Sequence, residues 1–130
     1  LSIDGIKQDK QEVKEKKQIY SDKNLKWIKT GMENVTKEGG TAAFLGKKSN
    51  YQMASKTGTA QLFGLKIDEE YNEDILPDKL KDHALFITYA PANDPNIVIA
   101  VIVENGGHGG SVAGPIAKKV LDAYLENKKL

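Results

Sequence analysis

Apolar residues recur along this chain in two rhythms. Leu25, Ile28, Met32 and Val35 stand three and four apart, with Trp27 at their border, which is the period of one helical face. Ser21 or Asp22 precedes them as a cap, and Gly39-Gly40 follows as a stop, so an amphipathic helix is predicted over roughly 22–37 with one face on a core. Residues 51–62 (YQMASKTGTAQL) read as a strand rich in small side chains, and 83–90 (HALFITYA) as a second strand. Pro91 to Asn96 is a strong turn signal. Residues 97–104 (IVIAVIVE) form an unbroken β-branched run that suits a strand covered on both faces, so 83–104 is predicted as a hairpin. A flexible loop, Asn105 to Gly110, leads to a last helix capped by Ser111. Ile116, Val120, Leu121 and Tyr124 supply its apolar stripe.

The order helix, strand, loop, hairpin, helix gives an α+β fold: an antiparallel sheet of about three strands with flanking helices. That raises a difficulty. Such a sheet has two edges, and 97–104 is too apolar to stay a bare edge. Either a second copy or chain lying upstream should cover it.

Charge divides the chain further. All 19 basic residues are lysine, against 18 acids, and the net charge is +1. So small a charge gives no field to steer nucleic acid, and the absence of arginine removes its bidentate contacts; no nucleic-acid partner is expected. Residues 1–21 are lysine-rich with few apolar neighbours and read as an arm or linker, leaving 22–130 as the folded portion. The acidic run 67–82 reads as an exposed loop. With no cysteine there is neither a disulfide nor a thiolate metal site.

The sharpest local feature is Ser55-Lys56-Thr57-Gly58-Thr59-Ala60-Gln61. On a strand, Thr57 and Thr59 share one face, while Gly58 leaves room for another element to pack close behind. Lys56 is long enough to reach around the strand edge. An ammonium, a hydroxyl and backbone N–H groups gathered there would suit a carboxylate or a developing oxyanion.

Lys-Thr-Gly is also one of three motifs shared by β-lactamases and penicillin-binding proteins. The stretches YQMASKTGTAQLFGLK, DHALFITYAPANDPNIVIAVIVENGG and HGGSVAGPIAKKVLDAYL resemble the C-terminal end of class B penicillin-binding proteins, most of all the penicillin-binding protein 2 type. The resemblance covers roughly 20–127. It implies part of the serine β-lactamase/penicillin-binding transpeptidase fold. It implies a serine D,D-transpeptidase that cross-links peptidoglycan stem peptides ending in D-Ala-D-Ala and is acylated by β-lactams. Lys56 would then place positive charge beside the nucleophile, Thr57 would bind the substrate carboxylate, and the Thr59 N–H would serve the oxyanion hole. Gly58 would keep the strand's back clear. The strand at 97–104 would pair with the upstream part of the same domain. No cofactor is implied. The parent would work on the periplasmic side of the bacterial inner membrane, anchored by an N-terminal helix, with cell-elongation proteins as partners.

The chain departs from the family at one place. None of Ser2, Ser21, Ser49, Ser55 and Ser111 has lysine three residues on, and no S-x-N occurs. The 130 residues alone should therefore be inert. The competing reading is a non-catalytic module that binds a peptide or partner at the same strand edge. His83 and His108 are too far apart in sequence for a metal reading without cysteine. His83 reads as a structural hydrogen-bonding residue and His108 as a solvated loop residue near the cleft. Tyr51 and Tyr89 read as packing against helices, with a place at the border of the groove as the alternative.

Overall fold

The structure is a computed structural model that describes residues 20–62 and 77–127. Residues 1–19, and most of the acidic run, lie outside that description. Helix α1 spans Asp22–Asn34. Ser21, in extended conformation, starts it by accepting the Asn24 N–H at 3.3 Å. The helix stops short of the predicted 37, because Thr36 is drawn away. Its buried hydroxyl donates to the Met53 carbonyl at 3.1 Å, tying the end of α1 to the start of the sheet. Gly39 then turns the chain at φ 80°. Helix α2, Ala43–Lys47, is a single short piece that buries Leu45.

Strands β1 (Ala54–Ala60), β2 (His83–Ala90) and β3 (Ile97–Val103) form one antiparallel sheet in the order β1-β2-β3. The register pairs Thr57 with Phe86 and Phe86 with Val101. Directly opposed residues share a face. The inner face therefore carries Ser55, Thr57 and Thr59, then Ala84, Phe86 and Thr88, then Ile99, Val101 and Val103. Helix α3, Gly114–Asn127, packs on this face. Phe86, Met53, Leu121, Ala113 and Ala117 make the core. Burying Phe86 alone contributes roughly 1.5–3 kcal/mol.

Three expectations are corrected here. The predicted stripe of α3 holds only in part: Leu121 is buried as expected, but Ala117, with Ala113 from the preceding turn, shares the core with it, while Ile116 and Val120 stay 44% and 48% exposed. Side-chain size decides this, since alanines let the helix axis approach the strands closely. Ser111 does not cap the helix. The helix opens one turn earlier with a wide π turn over Gly109–Ala113, and the Ser111 hydroxyl donates to the His108 carbonyl at 3.3 Å. Nor is β3 covered on both faces among the described residues. Val98 is 73% and Ile102 66% exposed, and the outer edge of β3 has no neighbouring strand.

The glycine loop predicted as flexible is tied down. The Asn105 N–H donates to His83 Nδ1 at 2.9 Å, and its amide group donates to the carbonyls of Lys79 and Lys81. Gly107, at φ 72°, donates its N–H to the Asp82 carbonyl at 2.8 Å. His83 thus has the structural hydrogen-bonding role expected of it.

Candidate functional site

β1 lies at one edge of the sheet and pairs only with β2 among the described residues, so its outer edge is open there. Two buried hydroxyls fix the strand next to the motif. Thr88 Oγ1 donates to the Ala54 carbonyl at 3.2 Å and accepts from Ser55 Oγ at 2.9 Å. Every polar atom in that pair is satisfied, which holds the β1 backbone, and so the following four residues, in one register.

Thr57 and Thr59 project from the inner face and line a cavity of about 310 Å³. Thr41 and Phe44 border it from the α2 side, and residues 108–111 from the turn that opens α3. That volume lies at the lower end of small-ligand pockets, roughly 300–1,000 Å³. No acidic side chain lines it among the described residues. Lys56 projects from the opposite face, is exposed, and does not line the cavity. Its ammonium bends back to the Thr57 carbonyl at 2.6 Å, so the charge sits at the strand backbone between the two faces.

The close approach assigned to Gly58 belongs to another glycine. A Cβ on Gly58 would stand 3.2 Å from the Leu85 Cβ, a tight cross-strand neighbour. A Cβ on Gly109 would collide with the carbonyl oxygens of Leu85 and Gly58. Gly109 therefore lets the π turn rest directly on the strand backbone between Thr57 and Thr59. Sequence spacing did not point to Thr41, Phe44 or Ser111 as neighbours of the motif. No local pattern could have found them, since Phe44 sits in a five-residue helix and Ser111 inside an irregular turn.

Outside the cavity, Tyr51 donates its hydroxyl to Asp122 at 2.7 Å, and Lys118 binds the same carboxylate at 2.6 Å. Lys118 also stands 5.6 Å from the Tyr51 ring centroid. Burial pushes Asp122 up, but the hydrogen bonds from Lys118 and Tyr51 and the lysine's charge outweigh it, leaving the carboxyl below its ordinary range. Tyr89, whose hydroxyl is enclosed, is raised by burial first and by the Glu33 charge second. Tyr51 packs against α3, as its bond to Asp122 shows.

The penicillin-binding protein transpeptidase domain family matches residues 2–122. Peptidoglycan D,D-transpeptidase MrdA of Haemophilus influenzae is 46% identical over 101 residues, covering 77% of this chain and 16% of that relative. The Escherichia coli protein of the same name is 42% identical over 98 residues, covering 75% and 15%. Among solved structures, Pseudomonas aeruginosa PBP2 in complex with WCK 5153 aligns with TM-score 0.64 and 40% identity over 79% of this chain and 20% of that one. Helicobacter pylori PBP2, solved with MreC, aligns with TM-score 0.65 and 28% identity over 83% and 18%. The chain thus spans about one sixth of the curated relatives it matches.

Proposed function

The chain belongs to the penicillin-binding protein transpeptidase domain family, and from that premise we propose that residues 22–130 are the C-terminal portion of the transpeptidase domain of a peptidoglycan D,D-transpeptidase. The observation that carries the reading is the Lys56-Thr57-Gly58-Thr59 run on β1, whose outer edge is open among the described residues, beside a cavity that no described acidic side chain lines.

In the full-length parent, a serine from elsewhere in the domain attacks the carbonyl joining the two terminal D-alanines. A C–O ester bond forms, the C–N bond breaks, and D-alanine leaves with a proton on its nitrogen. An amine of a neighbouring stem peptide then attacks the ester; a new C–N bond forms and the serine recovers its proton. Thr57 binds the donor's terminal carboxylate. Lys56 raises the local positive potential where that carboxylate and the serine meet. The Thr59 N–H and the nucleophile's own N–H hold the oxyanion. A β-lactam enters the same site and stays as the acyl-enzyme.

This chain contains no S-x-x-K and no S-x-N, so by itself it is inactive. The exposed Ile87, Val98 and Ile102, with an edge of β3 that is unpaired among the described residues, support a partner for the outer face from the same parent. By family the parent works on the periplasmic side of the inner membrane; no described helix is long and apolar enough to cross one. The H. pylori relative solved with MreC supports elongation proteins as partners. A fluorescent penicillin tests the proposal. Labelling of the parent at a serine outside this chain is expected. Peptide binding at the β1 edge without labelling would favour the non-catalytic module.

A further inference from the structure

The cavity beside β1 holds more donors than the motif itself supplies. Thr57 and Thr59 border it from the strand, and His108 and Ser111 from the turn before α3. That turn lies against the motif: a Cβ on Gly110 would stand 3.4 Å from Thr57 Cγ2. Both His108 and Ser111 are exposed rather than built into the core. The Ser111 hydroxyl makes a long bond, 3.3 Å, to the His108 carbonyl, one that a charged acceptor would readily outcompete. Phe44, 42% exposed, adds an apolar surface. Hydroxyl and imidazole donors beside an aromatic ring, with no acidic side chain among the described lining residues, match a carboxylate carrying a small apolar substituent.

We infer that His108 and Ser111 are specificity-determining residues that, with Thr57, hold the terminal carboxylate of the acyl donor. The inference rests on the transpeptidase reading above. The imidazole N–H and the serine O–H each donate to one carboxylate, and neither requires the histidine to be charged. Their position on the turn explains why Gly109 must let that turn sit against the strand: any other residue would lift both donors away.

The test compares acylation of the full-length parent by benzylpenicillin and by its methyl ester, in which the carboxylate is blocked. The wild type should prefer the free acid. His108→Ala should lower that preference about tenfold by slowing only the acid, the worth of one hydrogen bond to a charged group. His108→Gln, which keeps an N–H donor, should restore part of it, and Ser111→Ala should lower it by a smaller factor. An unchanged preference in His108→Ala would overturn the inference. So would an equal loss for acid and ester, which would mark a purely structural role. If the wild type is not acylated by penicillin at all, the transpeptidase reading falls and this inference with it.

Discussion

The two faces of one sheet behave as if they belonged to different proteins. On the inner face, Phe86, Ser55 and Thr88 are closed off under α3 and their polar atoms are paired. On the outer face, one residue along, Ile87, Val98 and Ile102 are open. Both faces carry comparable apolar residues, so hydrophobicity does not explain the difference. The difference lies in what packs on each face among the described residues: α3 covers the inner one. The chemistry follows the same division: Thr57 and Thr59 look into the packed side, where a cavity is already shaped, while Lys56 leaves from the open side.

The comparison can be strained most severely at Phe86. Phe86→Ala should cost about 3–5 kcal/mol, by loss of transfer energy and the cavity left behind. Denaturant unfolding of the intact parent measures it, and a loss below 1 kcal/mol would mean the inner face is not the core.

The outer face gives the next largest effect, with a sign that depends on what covers it. In the parent, Ile102→Lys should destabilise by about 2–3 kcal/mol, the cost of placing a charge in a covered apolar face. In the isolated chain the same change should lower self-association and leave thermal stability within about 0.5 kcal/mol. Light scattering and melting of both forms separate the cases. Tolerance in the parent would show that the outer face stays open there too.

How far this was legible in the sequence depended on the kind of signal. β2 was readable to the residue, because Ala90 is followed by a turn carrying Pro91 and Pro95. The motif strand was readable through Lys56-Thr57-Gly58, although the ordered strand is narrower than 51–62. The covered face of α3 was not readable, because Ala113 and Ala117 are chosen for size while Ile116 and Val120 carry the stronger apolar signal. The cavity was not readable either. It joins Thr41, Thr57 and Ser111, which are distant in sequence and meet only because Gly109 admits the π turn. Part of the acidic run, 67–76, lies outside the described residues.

The smallest effect concerns the rim of the packed side. Asp122 is held below its ordinary range, so its bonds to Lys118 and Tyr51 stabilise the fold above the unfolded value of about 3.9 and are lost as pH falls through the folded value. The pair is partly exposed, with 36% of the Asp122 side chain accessible. Its contribution should therefore be about 1 kcal/mol or less. Asp122→Asn should flatten the acid limb of a stability-versus-pH curve. An unchanged limb would remove this link between α3 and the segment before β1.

The division of labour along β1 is tested most directly by the rate at which penicillin acylates the full-length parent carrying Lys56→Ala. Lys56 is exposed, and its ammonium bonds only to the neighbouring Thr57 carbonyl among the described contacts, so melting should change little. The acylation rate should fall by about 100-fold or more, the scale of removing one electrostatic stabiliser from such a site. Acylation at the wild-type rate, by a properly folded variant, would contradict the claim that this strand edge receives the acyl donor.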